Sequence, residues 1–376
     1  MPSILLVTND FGPRAGGIET FVIGLLERVP QGEVIVYTST QPGCDEYDQR
    51  WKQEFGVEVI RDRSKILLPT PRVISKLRKV LRTRQITTIW FGAAAPLALS
   101  ARWLKRAGAT HVVALTHGHE VWWSRVWPFS RLMSEIAKNV DIATYLGEFT
   151  RNSMAPRFKD SRKLIKIAPG IDTEHFVPHQ SDELRKNYGI DTKPTIVSVG
   201  RLVHRKGQDR LVEAMPRILA QIPNAHLIFI GEGPHRKVLD KLVSQLALDD
   251  HVSFIGRIHY ADLPRFISMG DIFAMPSRSR LLGLEVEGLG IVYLEASACG
   301  LPVIGGASGG APDAVKHGIT GYVVDGNDVE EIADRSIELL RDSELRSTMG
   351  AAGRKWVVDE WRWQIWSHEF NKALKI

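Results

Sequence analysis

Two glutamates eight residues apart bracket the stretch Glu287-Gly-Leu-Gly-Ile-Val-Tyr-Leu-Glu295. Carboxylates suit polyols, because each oxygen accepts a hydrogen bond from a sugar hydroxyl. The glycines mark the entry into a helix. Backbone N–H groups at its start, those of Gly290 and Ile291, favour an anion such as phosphate. One element could therefore hold both ends of a nucleotide sugar. Were both glutamates helical, their side chains would stand roughly 80° apart. Gly288 and Gly290 instead put Glu287 in the preceding loop, within reach of a sugar ring, and leave Glu295 on the helix to reach a ribose. The bland alternative is two solvated glutamates, the usual fate of this residue. Against it, Glu295 sits in the otherwise apolar run Val-Tyr-Leu-Glu-Ala-Ser-Ala-Cys.

A second cluster supplies the opposite charge. Gly200-Arg201-Leu-Val-His-Arg-Lys206-Gly207 follows an apolar run. Arg201 offers a planar fork of donors and Lys206 a point charge, a pair suited to a diphosphate. A diphosphate that leaves as a glycosidic bond breaks gains negative charge, so these cations would act on the transition state too. His204 and Arg205 read as a solvated part of the same loop. Gly16 and Gly17 lie between a strand pattern and a helix pattern, where absent side chains let a phosphate approach the backbone. A tight turn is the plain alternative there. Thr116-His117-Gly-His-Glu120 ends an apolar run, and His117 could hydrogen-bond a transferred sugar or serve as a strand-end structural histidine. His119 and Glu120 are weaker candidates, and their spacing is not that of a helical zinc-protease motif. Phe254-Ile-Gly-Arg-Ile258 could read a base edge through its backbone. Gly231-Glu-Gly233-Pro signals only a turn.

These residues need a frame that brings them together. The chain has 376 residues, 44% of them apolar, enough for two cores. Its net charge of +6 favours phosphate-bearing partners without naming them. Cys44 and Cys299 are the only cysteines, which argues against a disulfide framework and for a reducing compartment. Strand patterns fall at Ile4–Thr8, Val34–Thr38, Val57–Ile60, Thr87–Phe91, Val112–Thr116 and Ile142–Tyr145. A helix pattern runs through Ile18, Phe21, Val22, Leu25, Leu26 and Val29. Ala168–Pro178 breaks the rhythm with Pro and Gly, polar residues follow as far as Pro194, and the linker belongs there. A second series follows, with strands at Thr195–Val199, Leu227–Ile230, Val252–Ile255, Ile272–Met275, Val303–Ile304 and Tyr322–Val324. Helices are expected near Gly207–Gln221, His235–Leu246, Leu289–Cys299, Val329–Arg341 and Glu344–Val358. The alternation predicts an α/β protein with two Rossmann-like domains facing each other across a cleft.

Two stretches point towards a membrane. Over Arg72–Arg84 a helix would put Val73, Ile74, Leu77, Val80 and Leu81 on one side. Arg72, Lys76, Arg78, Lys79 and Arg82 would line the other. Such a helix can lie on anionic lipid, or be a domain helix with its apolar side in the core. Trp122-Trp123-Ser-Arg-Val-Trp127-Pro-Phe129 packs aromatics and cations into an expected loop after His117, suited to an interface, a greasy acceptor channel or a packing cluster. The run Phe91–Leu104 is too short, and too interrupted by Pro96 and Arg102, to span a bilayer.

In their order and spacing these motifs resemble the retaining glycosyltransferases of family four, across nearly the whole chain. The resemblance rests on the Gly16-Gly17 loop, His117-Gly, Pro169-Gly-Ile-Asp, Gly200-Arg-Leu and Glu287 through Glu295. It implies the GT-B architecture, with an acceptor domain of residues 1–169 plus 360–376 and a nucleotide-sugar domain of residues 170–359. It implies that Gly16 and Gly17 approach the donor diphosphate, that Arg201 and Lys206 grip it, that Glu287 holds the transferred sugar and Glu295 the ribose, and that His117 lies near the sugar. Ile258, Gly290 and Ile291 complete the donor set. No metal and no permanently bound cofactor is implied. Within the family the chain looks most like the actinobacterial phosphatidylinositol mannosyltransferases, which implies GDP-mannose as donor and a phosphoinositide glycolipid as acceptor. It also implies an anionic membrane surface at the inner face of the plasma membrane, and no nucleic acid. Two departures stand out. Arg278–Glu287 is longer than the usual run into the motif, which leaves Glu285 as a competitor for the role of Glu287. Trp361-Arg-Trp363 replaces a common Phe-Ser-Trp, and residues from about Trp361 are expected to pack on the first domain. Readings to separate from this one are a family-four transferase with another donor and acceptor, a non-catalytic sugar-nucleotide module, an epimerase, and a nicotinamide-dependent oxidoreductase. The last lacks its Gly-x-Gly-x-x-Gly fingerprint in the first βα turn.

Overall fold

The computed structural model describes residues 3–14 and 16–376. The chain divides into two compact units, residues 1–170 with 363–376, and residues 171–362.

The centre of the first unit is built on short, largely apolar runs buried along their whole length, as parallel strands covered by helices must be. Its strands are β1 (Ile4–Val7), β2 (Val34–Ser39), β3 (Glu58–Asp62), β4 (Thr88–Phe91), β5 (His111–Ala114), β6 (Ile142–Tyr145) and β7 (Leu164–Lys166). They form one parallel sheet in the order β3-β2-β1-β4-β5-β6-β7. Ile4 pairs with Val34 on one side and Thr88 on the other, so the order reverses at β1. Strand β7 has no counterpart in the sequence reading, because three residues are too few to show a period.

The second unit repeats the plan. Its strands are β8 (Thr195–Val199), β9 (His226–Ile230), β10 (Val252–Gly256), β11 (Ile272–Met275), β12 (Val303–Gly306) and β13 (Gly321–Val324). The order is β10-β9-β8-β11-β12-β13, again parallel, with the reversal between β8 and β11. Ligands of open α/β sheets bind beyond the carboxyl ends of the strands at such reversals.

One open alternative is decided and two expectations need correction. The helix Pro71–Thr83 buries Val73, Ile74, Leu77 and Leu81, and Val73, Leu77 and Leu81 join the first unit's main core. Its apolar side is therefore spent on folding and only its basic side faces outward. Trp122 and Trp123 do not lie in a loop but on the helix Glu120–Arg125, where both rings pack on Phe129, at 4.7 and 5.1 Å between centroids. The return of the chain to the first unit begins at Trp363, not Trp361. Trp361 packs edge-on against Trp356 within the second unit, whereas the helix Trp363–Leu374 docks Phe370 on Trp90 and takes the Arg28 guanidinium over the Trp363 ring.

Candidate active site

On the second unit, the turn leaving β8 carries the basic cluster. A short 3₁₀ turn, His204–Lys206, delivers Lys206 to the strand's carboxyl edge, and Gly207 closes it. Gly207 has φ +75, and a β-carbon there would strike the carbonyl of Pro276, just past β11. Only glycine lets the two loops at the sheet reversal meet. The helix Gln208–Gln221 then starts directly behind the cluster.

Glu287 arrives from the loop after β11. It is buried, its carboxylate 2.7 Å from Lys206 Nζ and 2.6 Å from Arg205 Nη1. Ser308 Oγ accepts from the Glu287 backbone N–H, and Gly310 N–H donates to its carbonyl at 2.8 Å. Burial works to raise the Glu287 pKa, but the charges of Lys206 and Arg205 outweigh it and hold the group below the usual glutamate value. It stays ionised. Arg205 is thus not the solvated residue the sequence suggests. Glu285 is half-exposed, pairs with Arg280 at 3.2 Å and comes no nearer to Arg205 than 3.9 Å, so the geometry favours Glu287 for the inner position.

The helix Ile291–Ala298 begins at Gly290, whose φ of +76 turns the chain into it. Tyr293 fixes this helix to the end of β11, its hydroxyl donating to the Met275 carbonyl at 2.7 Å. Glu295 lies further along, partly buried. Burial pushes its carboxyl up to about 7, against the opposing charge of Lys206. The two glutamates therefore titrate apart, one held charged and one poised near neutrality.

Arg278 and Asp209 went unrecognised in the sequence. Arg278 is buried, pairs with Asp209 at 2.7 Å, and lays the same nitrogen against the His204 ring at 2.9 and 3.0 Å. Its backbone N–H donates to the Arg205 carbonyl at 2.8 Å. Arg278 thus braces the turn that presents Arg205 and Lys206. Arg278 and Asp209 are 69 positions apart, so no local pattern could pair them. Arg201 is exposed, with no ion pair among the described residues, and Ile258 sits two residues beyond β10 with its backbone free of hydrogen bonds among them. Both are open to a ligand.

On the first unit, Gly16 precedes the helix Gly17–Leu26, but its neighbourhood is acidic. The Glu19 carboxylate folds back over Gly16 and pairs with Arg14 at 2.5 Å. Burial, then the nearby Glu19, pushes Asp10 up to about 6. His117 follows β5, its Nε2 2.6 Å from the Gly92 carbonyl and its backbone N–H bonded to Glu120. A carbonyl partner requires Nε2 to carry the proton, which leaves Nδ1 as the open acceptor of the neutral ring. Burial lowers the His117 pKa, although Glu120 pulls the other way. His119 Nε2 lies 3.2 Å from the Glu120 carboxylate. Among the described residues, no group of three His, Cys, Asp or Glu side chains is placed to hold a metal.

Known proteins match both units. Residues 15–175 match the family described as Glycosyltransferase Family 4, and residues 180–356 that described as Glycosyl transferases group 1. A GDP-mannose-dependent alpha-(1-6)-phosphatidylinositol monomannoside mannosyltransferase of Mycolicibacterium smegmatis is 43% identical, covering 96% of this chain and 95% of the relative. The GDP-mannose-dependent monoacylated alpha-(1-6)-phosphatidylinositol monomannoside mannosyltransferase of Corynebacterium glutamicum is 41% identical, covering 99% and 97%. Among solved structures, Anabaena HepE in complex with UDP superposes with a TM-score of 0.84 over all of both chains, at 18% identity.

Proposed function

The chain belongs to family 4 of the glycosyltransferases, and from that premise we propose that it moves mannose from GDP-mannose to a phosphatidylinositol monomannoside, making an α-(1→6) bond with retention. The observation that carries the donor and acceptor is identity above 40% spread over both units to relatives of that activity. Incubation with labelled GDP-mannose and the lipid acceptor tests it. The expected product is the dimannoside, and transfer from another nucleotide sugar in preference to GDP-mannose would overturn it.

The second unit supplies charge and orientation. Lys206 and the outward-facing Arg201 take the donor diphosphate, so the protein's own cations meet the charge of the leaving group and no resident metal or cofactor is assigned. The N–H groups of Gly290 and Ile291 open the helix Ile291–Ala298 towards the same diphosphate, and the open backbone of Ile258 takes the base. Glu287 accepts from the hydroxyls of the transferred mannose and Glu295 from those of the ribose. For the first unit, the family likeness assigns Gly16 and Gly17 to the diphosphate and His117 to the mannose. Through Nδ1, neutral His117 can accept a hydroxyl proton.

The Glu295 carboxyl gives a pH signature. In the free protein it titrates near 7, pushed up by burial. Ribose hydroxyls donate best to the ionised form, so binding releases a proton below that value. Affinity for GDP-mannose should therefore rise about tenfold from pH 6 to pH 8, and Glu295→Gln should flatten the profile. Titration calorimetry at several pH values reads this directly, and an equal slope in the variant would take Glu295 off the ribose.

No helix of the described residues is long and apolar enough to cross a membrane. We place the protein at the inner face of the cytoplasmic membrane, through the basic side of the helix Pro71–Thr83 and the loop before it. Buried Asp62 takes Arg72 and Lys76, at 2.7 and 3.0 Å. Arg63, Lys65, Lys79 and Arg82 remain exposed to meet lipid phosphate, beside the exposed side chains of Ile66 and Leu68. Screening should weaken such a contact: sedimentation with anionic vesicles should fall several-fold between roughly 0.05 and 0.5 M salt. Salt-independent sedimentation would discount the basic surface.

A further inference from the structure

Between buried Arg278 and buried Glu287, the chain of the second unit makes a narrow hairpin that the transfer chemistry does not use. Arg280 and Glu285 exchange backbone hydrogen bonds of 2.8 and 3.2 Å, and their side chains pair across the base. The tip is Leu281-Leu282-Gly283-Leu284. Relative exposure is 66% at Leu281, 104% at Leu282 and 41% at Leu284. Leu281 and Leu282 also hold left-handed backbones, φ 51 and 56. Glycine or asparagine is the ordinary occupant of such positions. Leucine there strains the backbone and wets apolar surface together, so nothing within the folded unit accounts for it.

We propose that the Leu281–Leu284 tip inserts into the bilayer that carries the acceptor, and thereby holds Glu287 at the lipid surface. This rests on the reading of a lipid acceptor given above. A protein partner needs about 800 Å² on each side, which three leucines on a four-residue tip do not provide. Hydrocarbon accepts single side chains without a complementary surface. Exposed Arg280 stands at the base, where its stem can lie along the acyl chains and its guanidinium reach headgroup phosphate. Glu285, the acidic group at that base, is taken up by Arg280 and lies 3.9 Å from Arg205. Five residues of chain lead from Leu282 to Glu287, a reach of at most roughly 18 Å. An inserted tip therefore keeps the sugar-holding carboxylate close to the plane in which headgroups lie.

Because Cys44 and Cys299 are buried, a Leu282→Cys variant can carry an environment-sensitive fluorophore at the tip alone. With phosphatidylcholine vesicles containing phosphatidylinositol, the emission should shift to the blue and be quenched by spin labels at shallow acyl positions. The double variant Leu281→Ser/Leu282→Ser should lose about tenfold or more in transfer to acceptor embedded in vesicles. Its transfer to the deacylated, water-soluble acceptor should match that of the native chain. A label that stays in water on vesicles that sediment the protein would overturn the proposal, as would a double variant equal to the native chain on embedded acceptor. Should the native chain transfer mannose to neither acceptor, the functional reading fails, and the label alone decides whether the tip inserts.

Discussion

Lys206→Ala should lower kcat for mannosyl transfer by about 10²- to 10³-fold, the loss typical of removing one preorganised donor from a developing oxyanion. The ammonium is buried at the carboxyl edge of β8, 2.7 Å from Glu287, so its field is little screened by water. The donor diphosphate is already charged in the ground state, and charge on its outer oxygen grows as the bond to mannose breaks. The lysine therefore favours the transition state over the bound donor, and KM for GDP-mannose should change less than kcat. Arg205 does not replace it, since its side chain is more exposed and its field more screened by water. Lys206→Arg should rescue little, because the planar fork is larger and differently shaped than the buried ammonium beside Glu287. Steady-state kinetics with the lipid acceptor supply both constants. A kcat within a few-fold of the native value would remove Lys206 from the leaving group.

The frame of this site was legible because it depends on local pattern. Runs such as Ile4–Val7 and Thr195–Val199 are too short and too β-branched for helices, and helical spacing between them forces parallel strands with crossovers. The residue types at the strand ends then supplied the candidates, Lys206 after β8, His117 after β5 and Glu287 before the helix Ile291–Ala298, and the structure sets Lys206 against Glu287. What the sequence hid is pairing between loops. Arg205 looks like a solvated cation until strand order sets the β8 loop beside the β11 loop and Glu287 meets it. Arg278 and Asp209 are joined by the same order of strands, which no period in the chain encodes. The helix Pro71–Thr83 stays undecided in the sequence for the converse reason. Its amphipathic pattern is the same whether the apolar side meets lipid or core, and only the packed structure assigns it to the core.

Glu287→Gln should destabilise the ligand-free protein, and GDP should undo much of the loss. Both side chains around Glu287 are cations, and in the absence of donor its carboxylate is their close counter-ion. The neutral amide leaves Lys206 and Arg205 facing each other beneath the surface. Breaking a buried pair in this way costs roughly 3–5 kcal/mol, and the partial exposure of Arg205 favours the lower end. For a unit of this size about 3 kcal/mol corresponds to a fall in Tm of roughly 6–12 °C. A variant at this position is therefore not the silent change that a loop residue would suggest. The sign of the pH dependence follows from the same contacts. The folded pKa of Glu287 lies below its ordinary value of 4.5, so its stabilisation is complete above that pH and fades as pH falls through the lowered value. The variant should lose this part of the acid dependence. GDP brings its own negative charge to the two cations. In the native protein it must share Lys206 with Glu287, whereas in the variant it finds both cations free of that carboxylate. Saturating GDP should accordingly raise Tm more in the variant than in the native chain, while mannosyl transfer should stay at least about 10²-fold down if Glu287 takes the sugar hydroxyls as proposed. Thermal unfolding with and without GDP measures the gap. A gap of the same size in both conditions would mean that the diphosphate does not reach Lys206 and Arg205.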